Sequence, residues 1–572
     1  MFYSRTKDLR AKIIFIWKSA NIVLGGLLSI FSLFTFLNIG LHTLTLPGDS
    51  TLGNISINLY ISIGLIAVNI IFFTFLRCKI RKSYVNELLE IVSTTVMPKK
   101  LPKVVYVYTT HNDFMPARLL QNCQQTYSNY EVWISDGSDK PQIINEIKTF
   151  ATKHSIHLHQ MHRSSISKSD NLNHFLKYSN AKFDYLLIAD ADESFDINTV
   201  QCNIRFFYSN RFERLAFVTP MNQCYKTSNI YTNVCRCLDN NTMFLRDSMK
   251  SVLHKDYSNL YSASSLISGN FLKYIGNKFP DTVLEDYYTE NTAALHGWTG
   301  IISPLTVCTQ QYDANIKTHF SRISRITESV LFLRKHNTFE KYNEKYEKWF
   351  NRSILLLFSP FLGFAGTLII SVLVWFVCID AQVIFADWFF LTTVIVCGCT
   401  AVLLGIFAGF DYGKINGSSF LFFPFFMALY VFSLINYFLR SWWKVIVLKK
   451  QPVFNVTNKR LVKVKFWSAF NKIKWDLIVF IVLAGVLAAI DVPWITFLWN
   501  MSNLLLIFII LNTYLGIFVL SALATIILYL LSFIKFNKYD PSQFIHYKNA
   551  YVQSSKIKDA FYQAHPEYFR VC

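Results

Sequence analysis

An acid pair follows an apolar run near the middle of the chain. The segment Leu186-Leu187-Ile188-Ala189 has strand character, and Asp190 and Asp192 come directly after it, two residues apart. In an extended chain such residues point to the same side, so both carboxylates can reach one ion. Mg²⁺ and Mn²⁺ take carboxylate oxygens, usually one or two from the protein, with substrate phosphates completing the shell. Because acids also crowd solvated turns, the metal site depends on the groups around the pair.

Two earlier runs of strand character also end in polar side chains. Val104–Tyr108 precedes Thr109, Thr110, His111, Asn112 and Asp113, and Tyr130–Ile134 precedes Ser135, Asp136, Gly137, Ser138 and Asp139. Ligands of open α/β sheets bind at the carboxyl ends of the strands. The sequence therefore predicts that three strands deliver acids and amides to one edge of a mostly parallel sheet.

Three further charged residues could serve that edge. Lys168 begins a helical segment, where a cation and the helix N-terminus can meet a phosphate; the alternative is an exposed lysine on a first turn. Asp286, beside Glu285, could act as a general base for an attacking hydroxyl. The alternative for this acid pair is a favourable interaction with the dipole of a helix that starts there.

The composition is that of an integral membrane protein. Of the 572 residues 52% are hydrophobic, 52 are Phe and only 16% are charged. The net charge of +20 comes from Lys and Arg that lie largely beside apolar segments, and no nucleic-acid recognition motif is present, so we expect no nucleic-acid partner. The eleven Cys show no disulfide framework. His154, His157, His159 and His162 fit neither one helix face nor one strand face and are interpreted as surface residues.

Apolar stretches long enough to cross a bilayer flank the polar region. Two, Asn21–Leu41 and Ile57–Leu76, come first, and four cations in residues 77–82 then place the next domain in the cytoplasm. Later spans are expected at Ile354–Cys378, Trp388–Phe410, Leu477–Leu498 and Leu505–Phe533, which makes about six crossings of the plasma membrane. Phe420–Leu439 is expected to lie at the interface, and residues 328–352 to form an amphipathic surface helix.

These features predict an α/β cytoplasmic domain inserted between transmembrane helices. The expected divisions are residues 1–83 (cytoplasmic segment and two spans), 84–327 (catalytic domain), 328–450 (interface helices and spans), 451–465 (a loop), 466–536 (two spans) and 537–572 (cytoplasmic tail).

The ordered motifs resemble those of inverting family-2 glycosyltransferases, in particular membrane-embedded processive synthases of the cellulose and hyaluronan synthase type. Residues 109–113 resemble the family's P-T-Y-N-E element, Gln124-Gln125-Thr126-Tyr127 its A-Q-x-Y/H-P element, and Ser135–Ser138 its D-D-G-S. Residues 168–173 are similar to K-A-G-N-L-N, and residues 190–192 reproduce D-A-D. Glu285-Asp286 is similar to T-E-D, with Leu284 in place of the threonine.

The resemblance implies a GT-A (Rossmann-like) fold and a role for each matching residue. Its implied nucleotide and sugar contacts are Thr109, His111, Asp113, Asp136, Lys168, Asp190, Glu285, Arg322 and Arg325. Among these, His111, Asp113 and Asp136 would line a uridine pocket. Asp192, with Asp190, would hold Mg²⁺ or Mn²⁺, and Asp286 would deprotonate the acceptor hydroxyl. The diphosphate leaving group gains negative charge, which the metal ion and Lys168 would offset. A single base is sufficient for an inverting attack.

The next family signature, Q-x-x-R-W, is altered. Arg325 keeps the arginine, Arg322 stands at the glutamine position, and Ile326 replaces the tryptophan that stacks on the acceptor sugar in the family. An aliphatic side chain cannot reproduce that aromatic face. We therefore expect acceptor geometry, linkage or product to differ from those of cellulose synthase.

Residues 452–459 resemble the F-x-V-T-x-K gating loop of cellulose synthases, which implies that Thr457 and Lys459 contact the donor. The resemblance favours an enzyme that polymerises a sugar from a UDP-sugar, with UDP-glucose the expected donor, and passes a β-linked polysaccharide across the membrane. One alternative is transfer of a single sugar to a lipid carrier, which the altered Q-x-x-R-W favours. A transporter with a cytoplasmic regulatory domain is the other, although it leaves the acid motifs unexplained.

Overall fold

The computed structural model describes the polar region and small parts of the rest. Described are residues 86–161, 165, 167–224, 231–232, 260, 264–282, 284–310, 313, 315–335 and 440–450, with scattered residues between 474 and 531. Thr457 and Lys459, the gating-loop residues of the resemblance, lie outside these residues, as do the first four expected spans and Phe420–Leu439. No helix within the described residues has the length and apolarity needed to cross a bilayer.

The described strands form one mixed eight-stranded sheet, in the order β3-β2-β1-β4-β7-β6-β8-β5. They are β1 (Val104–Thr110), β2 (Tyr130–Asp136), β3 (His157–Gln160), β4 (Tyr185–Asp190), β5 (Ser194–Phe195), β6 (Leu215–Cys224), β7 (Ser265–Ser268) and β8 (Thr299–Gln310). The strands β3, β2, β1 and β4 are parallel, whereas β7 is antiparallel to both β4 and β6. The predicted α/β class is confirmed, and the second half of the sheet is less parallel than the mostly parallel sheet that was expected.

The helices lie between the strands. They are α1 (Pro116–Cys123), α2 (Pro141–Lys153), α3 (Lys168–Tyr178), α4 (Thr199–Phe207), α5 (Gly269–Tyr274), α6 (Glu285–Leu295) and α7 (Ile316–Lys335). Two of them, α1 and α2, begin with a proline, whose fixed φ suits a first turn. At the start of α3, Ser167 Oγ accepts a hydrogen bond from Asp170 N (3.0 Å), which fixes the position of Lys168.

Strand β1 is central and buried along its whole length. Its β-branched and aromatic side chains alternate between two hydrophobic cores, because successive residues of a strand face opposite sides. Tyr106 and Tyr108 pack in the core that includes Ile147 of α2, and Val105 and Val107 pack in the core that includes Phe175 of α3. Burial on both faces holds the strand rigidly, so its carboxyl end is a fixed platform.

Two helical segments extend the domain at its ends. Residues 86–94 form a helix whose C-terminal end is bonded to Arg205 of α4: Nη1 donates to Val92 O (3.3 Å) and to Thr95 O (2.9 Å), just after the helix. At the other end α7 runs without a break across position 327, where the sequence placed a domain boundary. The arginines Arg322 and Arg325 and the start of the predicted amphipathic segment therefore share one helix.

Candidate active site

The carboxyl ends of β1, β2 and β4 are level with one another. In the register of these parallel strands Thr110 lies beside Asp136, and Thr109 lies beside Asp190. The prediction that three strands bring their polar ends to one edge is confirmed. In the sheet, β2 lies on one side of β1 and β4 on the other, so the strand order changes direction at β1. Ligands of open α/β sheets bind at the carboxyl ends of the strands where this change occurs.

The turn at residues 190–193 is held on three sides. Glu193 N donates to Asp190 O (3.1 Å), and Asp190 N donates to Glu193 Oε2 (2.8 Å). Tyr108 OH donates to Ala191 O (3.0 Å), and Asn122 Nδ2 donates to Glu193 O (2.9 Å). Sequence reasoning missed Glu193 as a support, although it directly follows the acid pair. These bonds fix the backbone that carries the two aspartates.

Lys168 reaches the acid turn from the start of α3. Its Nζ contacts Asp190 Oδ1 and is largely covered, since the lysine side chain is 12% exposed. Burial lowers the pKa of Lys168, but the carboxylates of Asp190, Glu193 and Glu285 act in the opposite direction, and the net result is a raised pKa. The lysine is thus held in its charged form.

The acid pair Glu285-Asp286 forms the first turn of α6 and faces the same cluster. Glu285 is only 6% exposed, and burial, together with the charge of Asp286, raises its pKa to about 8 even though Lys168 lowers it. Asp286 Oδ1 accepts a hydrogen bond from Tyr287 N (2.8 Å). Residues about 100 positions apart in the chain are therefore close enough to influence one another, while the first-turn position also satisfies the alternative based on the helix dipole.

Arg325 completes the cluster from α7. Burial lowers the pKa of this guanidinium, whereas the carboxylates of Glu285, Asp286 and Asp190 raise it. Arg322, one turn earlier, lies with Nε 3.2 Å from Asp313 Oδ2. The structure thus brings Lys168, Asp190, Glu285, Asp286 and Arg325 into one charged group and gives Arg322 a carboxylate partner that the sequence did not predict.

Asp313 is shared between Arg322 and a buried histidine. Its side chain is 5% exposed, and Oδ2 also accepts from Nδ1 of His319, 3.0 Å away. Asn315 starts α7 by accepting a hydrogen bond from Thr318 N (3.1 Å), which fixes Asp313 and His319 on either side of the helix start. The motif comparison gave no sign of Asp313, because it lies nine residues before Arg322 and outside any quoted element.

The loops after β1 and β2 are tied together. Asn112 has a left-handed backbone (φ 60°), which asparagine tolerates better than most residues. Its backbone N donates to Ser138 Oγ (2.8 Å), and its side-chain Nδ2 donates to Asp139 Oδ1 (2.7 Å). His111 Nδ1 lies 2.8 Å from Gly137 O, so both loops form one wall. A Cβ at Gly137 would lie 2.3 Å from Ser165 Oγ, which explains the glycine there.

Three predicted pocket residues make hydrogen bonds at this edge of the sheet. Asp113 Oδ1 accepts from Thr110 Oγ1 (3.0 Å) and from His111 N (2.8 Å). Thr109 is buried, and its Oγ1 donates to Ala189 O of β4 (3.1 Å). Asp136 is 1% exposed and accepts from Ser138 N (2.9 Å), and burial raises its pKa. Their nucleotide contacts stay a prediction; in the structure Asp113 and Asp136 shape the two loops, and Thr109 joins β1 to β4.

The acid turn is chemically suited to a divalent cation. Asp190 and Asp192 offer carboxylate oxygens, the donors that Mg²⁺ and Mn²⁺ prefer, and Asp192 is 2% exposed within the fixed turn. Among the described residues, no group of three or more His, Cys, Asp and Glu side chains is arranged to hold a metal ion. Two protein carboxylates are sufficient where substrate phosphates supply further ligands, so the residues present fit a metal bound together with a diphosphate.

We expect Glu285→Gln to change how stability depends on pH. The pKa of Glu285 is about 8 in the folded protein against 4.5 for an ordinary glutamate, so the folded state binds the extra proton between these values. The contribution of protonated Glu285 to the stability of the fold is complete below pH 4.5 and is lost as the pH rises through about 8. At about 1.4 kcal/mol per pKa unit, this loss amounts to a few kcal/mol.

The uncharged glutamine should therefore raise the melting temperature by several degrees at pH 8 to 9 and by much less at pH 5, as followed by thermal melts of both proteins across this range. Asp281→Gln is the matched control, because its carboxylate pairs with Lys278 at the surface and is 62% exposed. Parallel melting curves for Glu285→Gln and the wild type at every pH would contradict the raised pKa.

Comparison with known proteins gives one family and several solved structures. Residues 104–252 match the model of the family "Glycosyl transferase family 2". This region holds β1 to β4 and the acid turn, and the match supports a GT-A-like α/β domain here. No curated protein sequence matches the chain.

Similar solved structures include a mannosyltransferase from Pyrobaculum calidifontis with GDP-Man and Mn²⁺, at 15% identity and a TM-score of 0.39, covering 67% of this chain and 99% of the other. A second is S. aureus TarS residues 1–349 with UDP-GlcNAc, at 14% identity and a TM-score of 0.28, covering 40% of this chain and 66% of the other. A third is GalNAc-T7 with UDP, GalNAc and Mn²⁺, at 11% identity and a TM-score of 0.29, covering 38% of this chain and 45% of the other.

Proposed function

We propose that the chain is a membrane-embedded, inverting family-2 glycosyltransferase that polymerises glucose from UDP-glucose into a β-linked polysaccharide and moves the product across the plasma membrane. The supporting observation is the charged cluster of Lys168, Asp190, Glu285, Asp286 and Arg325. Four separate parts of the chain bring these residues together at the carboxyl edge of the sheet.

The cluster contains the groups that the reaction needs. Lys168 and Arg325 supply positive charge for the diphosphate, which gains negative charge as the bond to the sugar breaks. Asp286, in the first turn of α6, takes the proton from the acceptor hydroxyl as that oxygen attacks the anomeric carbon from the opposite side. Asp192 and Asp190 would hold Mg²⁺ or Mn²⁺, which when bound would offset further charge on the diphosphate.

The fixed wall of loops after β1 and β2 is suited to the nucleoside. His111, Asn112 and Ser138 are joined across the two loops, so this wall keeps its shape without a ligand. Preorganisation of this kind saves ordering cost when the donor binds. Processivity and translocation are carried by the resemblance of residues 452–459 to a gating loop and by the expected spans.

The test of this function is incorporation of labelled sugar by the purified full-length chain in proteoliposomes. A panel of UDP-sugars is supplied with Mg²⁺ or Mn²⁺, and the product is sized and its linkage analysed. High-molecular-weight β-linked product from UDP-glucose is expected. Product from another UDP-sugar would replace UDP-glucose as the assigned donor, and absence of product from every donor would overturn the proposal.

A second candidate function is transfer of one sugar to a phosphate-bearing lipid carrier. Arg322 and Ile326 lie one turn apart on α7, so a guanidinium and an aliphatic group replace the amide and the indole of the family signature. A guanidinium is better suited to a phosphate than to a neutral sugar. A short product that partitions into organic solvent would favour this function over polymerisation.

We expect Asp313→Asn to weaken donor use through Arg322. Asparagine keeps the shape of the aspartate but replaces a charge-assisted contact with Arg322 Nε by a neutral one, which should cost about 1 kcal/mol or somewhat more. The KM for the donor should rise about tenfold with a smaller change in kcat, as measured by initial rates. Arg322→Ala and the double variant form a cycle with it, and strictly additive effects would contradict a role through Arg322.

A further inference from the structure

Residues 440–450 form a short segment that is attached to α7 on one side. Ser441 and Val445 are 2% and 1% exposed. Lys444 Nζ lies 2.6 Å from Oε2 of Glu328, which belongs to α7 one turn beyond Arg325. The segment contains a π-helix, Trp443–Val447, that closes with Leu448 N donating to Trp443 O (3.0 Å). Its orientation relative to α7 is therefore set.

The other side of the segment exposes large apolar side chains. Trp442 and Trp443 are 41% and 55% exposed, and Val447 and Leu448 are 40% and 49% exposed. Single apolar residues are common on any protein surface, but an apolar patch of four exposed side chains within seven residues marks contact with a partner or a membrane.

All charged residues of the segment itself are cations. The segment reads Arg-Ser-Trp-Trp-Lys-Val-Ile-Val-Leu-Lys-Lys from residue 440 to residue 450, and Lys449 and Lys450 are exposed. Tryptophan is enriched at the level of lipid headgroups, where its ring is apolar and its N–H can still meet water. Lysine next to it is attracted by the negative surface of a leaflet that contains acidic lipids.

The sequence just before the segment favours a bilayer over a protein as the partner. Residues 420–439 are almost entirely apolar and lead directly into Arg440, so the patch continues a stretch that is itself suited to lipid. A protein partner would have to match both indoles and the basic rim, whereas the boundary of an acidic bilayer offers both environments at once.

We propose that residues 440–450 bind the surface of a bilayer that contains acidic phospholipids. Trp442 and Trp443 lie at headgroup level, and Lys449 and Lys450 lie against the headgroup phosphates. This surface is separate from the transfer site and goes beyond the proposed function. Through the Glu328–Lys444 contact it would also fix the height of α7, and with it Arg325, above the membrane.

The test places a polarity-sensitive fluorescent amino acid at position 443 in the full-length chain, reconstituted into nanodiscs. The discs contain either phosphatidylcholine alone or phosphatidylcholine with phosphatidylglycerol, and headgroup-attached nitroxides quench the probe. The matched control carries the probe at position 178, where Tyr178 is 60% exposed beside Lys177. We expect blue-shifted, strongly quenched emission at position 443, more so with phosphatidylglycerol, and neither effect at position 178.

The charge requirement is tested with Lys449→Glu combined with Lys450→Glu. Each lysine near an acidic surface is worth about 1 kcal/mol, or about a fivefold change in occupancy. The pair should therefore remove most of the extra quenching that phosphatidylglycerol causes, while Lys177→Glu combined with Lys182→Glu should not. An unquenched probe at position 443 in both lipids, or equal effects of the two lysine pairs, would overturn the proposal. Sugar incorporation is measured in the same discs, so loss of quenching and lack of transferase activity are separate outcomes.

Discussion

Replacing Asp286 with asparagine should nearly abolish sugar transfer while leaving nucleotide binding unchanged. The carboxylate acts on the acceptor hydroxyl and not on the donor, and a positioned general base typically contributes about 10²- to 10⁴-fold to the rate. Asparagine fits the same space and can still accept a hydrogen bond from Tyr287 N, so the first turn of α6 should persist. The measurement pairs the initial rate of incorporation with the affinity for UDP from calorimetry.

Asp281→Asn is the control for this variant, because Asp281 lies five residues earlier in the chain and its carboxylate is bound to Lys278 at the surface. It should keep near-normal rates. A large loss of UDP affinity in Asp286→Asn would show that Asp286 supports the donor, and transfer at the wild-type rate would remove it from the reaction altogether.

The second large effect is expected from Asp192→Asn. Asp192 is almost fully buried in a turn fixed by Tyr108, Asn122 and Glu193, so the amide should occupy the same position without the charge. Charge stabilisation by a bound cation is worth several kcal/mol, and its loss should lower kcat/KM about 10²-fold or more. Donor titrations at increasing Mn²⁺ should show that excess metal restores only part of the affinity.

Glu213→Gln is a suitable comparison, since Glu213 is an exposed acid of the same domain outside the turn. It should change neither the affinity for the donor nor its dependence on Mn²⁺. If Asp192→Asn binds the donor as tightly as the wild type both with and without metal, the assignment of Asp192 as a ligand is wrong.

The sequence predicted the edge of the sheet because its signal is local. Each of β1, β2 and β4 is a buried run that ends in polar residues, and parallel pairing then brings Thr109, Asp190, Thr110 and Asp136 level. The start of α3 could also be predicted from the sequence, because a serine directly before the first helical residue, here Ser167 before Lys168, is a common start of a helix.

What could not be predicted depends on contacts between distant segments. Strand β7 is antiparallel between β4 and β6, a pairing that no pattern within its four residues can reveal. Asp313 was missed because its role arises only once α7 brings His319 and Arg322 to it. The buried state of Glu285, which raises its pKa, likewise comes from packing and not from its neighbours in the chain.

The family elements also separated into two kinds once the contacts were known. Gln125 Nε2 donates to Asp196 O (3.1 Å), and Tyr127 OH donates to Pro102 O (2.7 Å). These two residues resemble a family element but support loops and strand ends, whereas Lys168 and Asp286 lie in the charged cluster. A motif match alone cannot tell a supporting residue from one that meets the substrate.

The position of β7 also determines the order in which the domain can fold during synthesis. Strands β1 to β4 pair among themselves in the fold and need no residue beyond 190, whereas the second edge of β4 is covered only by residues 265–268. Until those residues have been synthesised, its backbone N–H and C=O groups are open to pairing with other chains, as on any exposed edge. We expect chaperone dependence and aggregation to be greatest for nascent chains that end between these two points.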